Sequence, residues 1–458
     1  MIRRWFLALA WTGLFLSLSA CGVGGGSPID KGTGSAPLNV NIGDASADRI
    51  VSFDLTINSV TLTGSGVSAT LLSTPTKVEF SHLSGTVAPL SLASASNATF
   101  NNLTITLADP HVTIINDLGV PVAANASLTQ ASVSVPISAT FNNTASTLNI
   151  DLNLAQSTTL NLGVNPPTAS IAPILTAAVV TNAASSQTPE TGGFQEVTGA
   201  ISGIAGSSFT ISVKQAGETL TFATDSNTTF SGVSGVPALQ TGNVVQVNGA
   251  TMNDGTLLAT RVSLQVGGPA GLEVEGLVAS VTGSPATSVD AVVHDVATSS
   301  ASQPAIADIV TTDISTVPAN KFLVNSAADL TGVAVAFDAS HVAVGQSLEL
   351  DAATAAANNI VADQVQLRDG TWTGTITGAI IPVGNATKFT LTLPSDSALV
   401  KLTAPTLNPV TTITVFKQPS TTMLNGVTIT PNLAVRVRGP LFFDGANYTL
   451  VAVRMTTP

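Results

Sequence analysis

Val244-Val245-Gln246-Val247-Asn248-Gly249, followed by Leu258-Ala259-Thr260-Arg261-Val262-Ser263-Leu264, decides the fold class. Apolar and polar residues alternate with period two in both runs, the pattern of a strand with one buried face. Asp254-Gly255 lies between them, where a hairpin turn needs residues that accept positive φ. The arrangement recurs downstream. A late strand reads Ser347-Leu348-Glu349-Leu350 and then Ala434-Val435-Arg436-Val437-Arg438-Gly439. A closing strand reads Val361-Ala362-Asp363-Gln364-Val365-Gln366-Leu367 and then Leu450-Val451-Ala452-Val453-Arg454-Met455, with Asp444-Gly445 before the latter.

Upstream of each pair stands an opening strand with glycine at its third position: Val197-Thr198-Gly199, Val274-Glu275-Gly276 and Trp372-Thr373-Gly374. A glycine there suits the bulge or bend that a small barrel needs. Second strands are expected at Phe209–Val213, Phe322–Val324 and Phe389–Leu393, with Pro285–Pro318 a surface-loop insertion in the middle unit. A unit that recurs at this spacing is a repeat. A meander of three strands, a longer crossing and a hairpin fit a small barrel of the OB type, and a small sandwich is the rival.

Toward the N-terminus the alternation continues through Leu38–Ile42, Ile50–Ile57, Thr76–Phe80, Leu103–Leu107, His111–Ile115 and Leu148–Leu154. Ala-Thr-Phe-Asn-Asn occurs at Ala98–Asn102 and again at Ala139–Asn143, a repeated structural corner. The expected class is all-β: an N-terminal β-sandwich over 38–180, a linker over 181–193, and three small five-stranded (OB-like) β-barrel repeats over 194–266, 272–368 and 369–458.

The first residues combine Met1-Ile2-Arg3-Arg4, an apolar run from Trp5 to Leu18, and Ser19-Ala20-Cys21. That is a secretory signal, too short to span a bilayer. Leu18-Ser19-Ala20-Cys21 resembles the lipobox of bacterial lipoproteins. The resemblance implies removal of residues 1–20 and diacylglyceryl and acyl (palmitate-type) chains on Cys21. Two or more such chains anchor firmly. Gly22 follows the cysteine, which in such lipoproteins is compatible with transfer to the outer membrane. The Gly/Ser-rich residues 21–37 read as a flexible tether.

Two further resemblances cover most of the mature chain. The Asp44-Ala45-Ser46 loop after its strand resembles a bacterial lipoprotein domain of unknown function with an Asp-Ala-Pro-type loop, and Ser46 replaces the proline. The three repeats resemble a second bacterial domain family of unknown function, with a Val-x-Gly opening, a Gly-x-x-Val-x-Val-x-Gly strand (Gly242–Gly249) and an Ala-Thr-Arg-Val close (Ala259–Val262). The middle repeat departs most, lacking the final glycine. Neither resemblance implies an activity.

Composition narrows the function classes. The 458-residue chain is 44% hydrophobic but only 9% charged and 4% aromatic, with net charge −12 and Cys21 as its one cysteine. An acidic chain without a basic patch lacks the footprint of a nucleic-acid binder. A disulfide within the chain is excluded, and no Gly-x-Ser-x-Gly elbow occurs. Gly232-Val233-Ser234-Gly235 reads as a loop. His82, His111, His294 and His341 show no zinc-ligand spacing and read as structural or surface histidines. Asp109-Pro110-His111 reads as a turn ahead of a strand. Carboxylate candidates are Asp44 with Asp48 (a turn, or a calcium site lacking the usual loop), Asp225, and Glu273 with Glu275, which share one strand face and suit an exposed strand edge equally. Trp372 is expected in the core, and Tyr448 is the other aromatic available beside the phenylalanines.

The expected function is a lipid-anchored cell-envelope protein with a structural, adhesive or partner-binding role, its partner an envelope protein or polysaccharide. No catalytic residue, cofactor or metal is expected. The alternative is an exported hydrolase or ligand-binding protein with a site between the β domains. Perturbed carboxylates in a cleft favour the second reading, and a closed, shallow surface favours the first.

Overall fold

The computed structural model describes residues 34–45, 49–64, 66–83, 87–182, 192–213, 218–266, 271–298, 300–354, 356–405, 409–424 and 426–457. The signal segment, Cys21, most of the tether, most of the linker and Asp48 lie outside the described residues. Among the described residues the structure is nearly all β, 61% strand and 5% helix, with several sheets and two closed five-stranded barrels.

The N-terminal sandwich begins at Ser35, three residues inside the expected tether, because Ser35–Ala45 is one strand paired along Val87–Ser96. Its other edge pairs in parallel with Ser146–Asn153, which pairs with Leu175–Thr181. The facing sheet is built on two long strands, Ile50–Gly64 and Thr99–Ile115. Leu38, Val40, Ile42, Phe53, Leu55, Ile57, Leu103 and Ile105 fill the space between the sheets. The alternate residues Asn39 and Asn41 are buried as well. The small sheet is therefore covered on both faces, and the polar half of Leu-Asn-Val-Asn-Ile does not face water.

Two local expectations change. Leu103–Leu107 and His111–Ile115 belong to one strand; Asp109, at φ 47°, sits where the pairing slips between Asp54↔His111 and Thr56↔Ala108. Asp-Pro therefore makes a bulge inside a strand rather than a turn ahead of one. The repeated pentapeptides pair with each other: Thr99 lies opposite Thr140, their hydroxyls 2.9 Å apart, and Phe100 meets Phe141 edge-on at 5.7 Å.

The first barrel uses Gly193–Ala205, Ser208–Val213, Glu218–Ala223, Val244–Thr251 and Leu257–Val266. The opening strand pairs with the second and the late strand, and the third strand closes the barrel in parallel against the last. Asp369–Val383, Ala386–Thr392, Thr412–Met423, Ala434–Phe443 and Tyr448–Thr456 form a second closed barrel with the same pairing order. That order is the OB order. Phenylalanines 194, 209 and 222 fill one interior, and Trp372, Phe389 and Tyr448 join the other.

Between them lies a seven-stranded sheet following the same order, with its closing strand split into Ile360–Val361 and Gln364–Leu367. Its second and third strands are Ser288–Thr298 and Ile309–Asp313. The Pro285–Pro318 segment expected as a loop thus carries strands, and Phe322–Val324 is a short edge strand instead. This second strand is buried on two sides. Val289 and Ala291 enter the unit's own core, while Val292 packs against Val51 and Ile115 of the sandwich, so the alternation is lost.

The opening glycines have a common cause. A Cβ on Gly199, Gly276 or Gly374 would lie 2.6, 2.5 or 2.5 Å from the carbonyl oxygen of Ser212, Val292 or Thr392 on the second strand. Backbones approach too closely there for any side chain.

The units are packed rather than strung. Val51, Ile115, Val292, Ala398 and Leu402 form one apolar cluster from sandwich, middle sheet and last barrel. Asp117 ties Arg49 (2.6 Å) to Lys401 (2.9 Å) across the same junction.

Candidate functional site

Each late strand points its apolar residues into its own unit, so the alternate residues point out: Gln246 and Asn248, Glu349 and Asp351, Arg436 and Arg438. On an isolated barrel these would be wet. Here the units meet through them, and Gln246, Glu349 and Asp351 are buried. A chain with few charges places many of them in its joints.

The densest group lies on the middle sheet. Antiparallel pairing sets Glu275 opposite Glu349 and Glu273 opposite Asp351. Like charges facing each other across strands are destabilising unless something compensates. Gln366 and Gln364 flank them on the next strand. Gln364 Nε2 donates to Asp351 Oδ2 at 2.7 Å, and Gln366 Nε2 lies within reach of Asp351 Oδ2 (2.9 Å) and of Glu349 Oε1. Arg368, buried in the one-residue step between the middle sheet and the last barrel, brings Nη1 to 3.0 Å from Glu349 Oε2 and Nε to 3.7 Å from Glu275 Oε2. With the Gln246 amide turned to present its oxygen, Arg368 Nη2 also donates to it at 3.0 Å. Burial pushes Glu273 well up, helped by Glu349 and Asp351. Burial also raises Asp351 to about 7, against the bonds from Gln364 and Gln366 and the charge of Arg368.

A second group lines a cleft where sandwich, middle sheet and last barrel meet. Glu79, from the sandwich, accepts from the backbone N–H of Phe53 (2.8 Å), the Ser81 hydroxyl (2.6 Å) and His82 Nδ1 (2.6 Å). Burial raises its carboxyl, but the His82 bond, the charges of His294 and His82 and the Ser81 bond outweigh that and hold it at about 2. His82 is shifted up: burial opposes its charge, and the bond and charge of Glu79 prevail. His294, from the middle sheet, donates from Nε2 to the Val51 carbonyl at 2.6 Å, and burial shifts it down. The two rings stack 6.4 Å apart. Glu275, Asp369, Trp372 and Arg438 complete the cleft, whose volume is about 90 Å³. Small-molecule sites run to roughly 300–1,000 Å³, so this one suits a few waters or a small ion. A roomier groove of about 320 Å³ lies between residues 334–341 and Phe442, Phe443 and Thr449 of the last barrel.

Glu79 yields a testable consequence. Its folded pKa lies below its unfolded one, so its stabilising effect is present above about 4.5 and disappears as pH falls through about 2. Glu79→Gln should lower stability by about 2–3 kcal/mol at neutral pH, a charge-assisted network being lost. The loss should shrink as urea melts are repeated toward pH 2. A deficit that does not change with pH would contradict the ionised-pair account.

The residues singled out by sequence do not gather in one place. Cys21 and Asp48 lie outside the described residues. Asp225 and His341 serve turns: Asp225 accepts from the N–H of Asn227 and Thr228, and His341 bonds Asp338. His111 bonds Asp54 across the sheet, not neighbouring Asp109. Asp44 is buried, accepts the Leu154 N–H and is pushed up by burial and by Asp151. Glu273, Glu275, His82, His294 and Trp372 do come into the joints. Tyr448 donates its hydroxyl to the Val344 carbonyl at 2.9 Å. Sequence reading missed Glu79, Glu349, Asp351 and Arg368. The one signal available was that Glu349 and Asp351 replace the amides Gln246 and Asn248 at matching strand positions.

Residues 198–263, nearly the whole first barrel, match the family described as domain of unknown function DUF5666. No curated protein matches the chain. Among solved structures, a multidomain protein with nucleic acid binding domains from Streptococcus pneumoniae is similar over 56% of this chain and 72% of that one, at 11% identity and a TM-score of 0.10. A likeness that faint carries no argument about fold or function.

Proposed function

We propose that the chain is a lipid-anchored cell-envelope protein, attached through acyl chains on Cys21, whose β units form a non-catalytic structural, adhesive or partner-binding body. In this reading the sandwich is the lipoprotein domain of the Asp-Ala-Pro-loop type, and the three sheets after it are copies of one barrel unit. The observation that carries it is where the charge sits. Arg368 pairs with Glu349 where the middle sheet steps to the last barrel, and His82 and His294 line the cleft where three units meet, which favours a rigid displayed body. The partner is an envelope protein or polysaccharide; net charge −12 argues against nucleic acid. Gly22 after Cys21 favours the outer membrane.

Cells fed a labelled fatty acid should label the wild-type chain and not Cys21→Ala, and the labelled chain should fractionate with the outer membrane. A Cys21→Ala chain that still sediments with membranes would overturn the anchor. Wild-type protein that retains nothing from envelope extracts would overturn the partner-binding role.

One observation favours the alternative of an exported hydrolase or ligand-binding protein. His82 and His294 share the cleft with opposite shifts, as an acid and a base would. That reading requires turnover of an ester, amide or glycoside that is lost on His294→Gln.

A further inference from the structure

From the geometry of the middle sheet we infer that Glu273, Glu349 and Asp351 bind a divalent cation of the calcium class between the first barrel and the middle sheet. Each offers a carboxylate oxygen, and these oxygens all lie within 4.8 Å of one another. That spread falls in the range two oxygens can span on a calcium ion bound at about 2.3–2.6 Å.

A cluster of acids alone would not carry this, but Glu273 adds an independent sign. It is 2% exposed, and its Oε2 has no hydrogen-bond partner among the described residues. Asp351 Oδ1 is likewise without one, although its other oxygen accepts from two glutamines. Buried carboxylate oxygens are normally bonded, so two bare ones on residues of one cluster call for a ligand.

Charge points the same way. The carboxylates here outnumber the one guanidinium among them, a negative excess that a divalent cation offsets. The surroundings add little positive charge. Glu275 stands on the same strand as Glu273, Asp295 faces Glu275 from the second strand, and Lys321 is the other cation acting on Asp351. Donors that are all oxygen select hard cations over zinc or copper. Gln364 and Gln366 carry amide oxygens beside the site that a half-turn of each amide would offer.

The rival occupant is a proton shared among the carboxyls. The full-length chain, stripped with chelator, is titrated with calcium, magnesium or manganese chloride at neutral pH and followed by calorimetry and thermal unfolding. Calcium should bind once and raise Tm, and Glu273→Gln or Asp351→Asn should weaken it by roughly a hundredfold or more. Glu273→Gln removes a repulsion, so its unliganded form should fold at least as well as wild type. The inference is overturned if calcium produces neither heat nor a Tm shift, which leaves the shared proton, or if Glu273→Gln binds calcium as wild type does.

Discussion

Arg368→Met should destabilise the folded chain by about 3–5 kcal/mol near neutral pH, the usual cost of removing one partner from a buried ion pair. Methionine keeps the length and much of the packing of the arginine stem, so the loss reports charge rather than a cavity. Arg368 pairs with Glu349 and approaches Glu275, and its loss would leave the fully buried Glu349 without that counter-charge. The deficit should narrow as pH falls toward about 4. Glu273 and Asp351 have folded pKa values above their unfolded ones, so acid protonates them in place and relieves the repulsion. Adding Glu349→Gln to Arg368→Met should recover part of the loss, because the two side chains act as a coupled pair. Urea melts in chelator at two pH values test this. An Arg368→Met chain as stable as wild type would show that the arginine balances nothing.

Gly439→Ala should cost about 3 kcal/mol, the upper end of what overpacking usually costs. The added Cβ would lie 2.0 Å from the carbonyl oxygen of Val451 on the closing strand. That strand cannot step back, because its other edge pairs with Thr412–Met423 to close the barrel. Gly249 holds the matching position in the first barrel, where a Cβ would meet Leu258 O at 2.2 Å and the Phe194 ring at 2.6 Å. Gly445 is the control. It sits in the hairpin turn at φ 94° with nothing near its missing Cβ, so Gly445→Ala should cost only about 1 kcal/mol of backbone strain. Equal losses at 439 and 445 in thermal unfolding would refute the close-approach argument. The middle sheet carries Ala352 at this position. There the antiparallel pairing ends at Asp351↔Gln364 and the closing strand breaks, which leaves room for a methyl group. The departure noticed in sequence marks where one sheet is split and two are closed.

Much of the fold was legible because its signals are local. Alternation in Val244–Gly249 and Ala434–Gly439, the turns at Asp254-Gly255 and Asp444-Gly445, and the opening glycines all report on neighbouring residues or on a partner one hairpin away. The reading failed where burial was two-sided. Val289–Val296 showed no clean alternation because the sandwich covers its outer face, and Phe322-Leu323-Val324 looked like the better strand.

The joints were another matter. Glu273 and Glu275 could be placed on one strand face from spacing alone, but not opposite Glu349 and Asp351, since register across strands is set by the barrel and not by either segment. His82 and His294 looked like isolated structural histidines, and they stack only because the sandwich docks on the middle sheet. By itself the sequence determined an all-β chain built on recurring glycine-marked strands, since hydrophobic period and turn chemistry act over a few residues. Only the tertiary structure decided that the outward polar faces of the units turn toward one another. Their docking joins residues far apart in the chain, and no short stretch carries a record of its eventual neighbour.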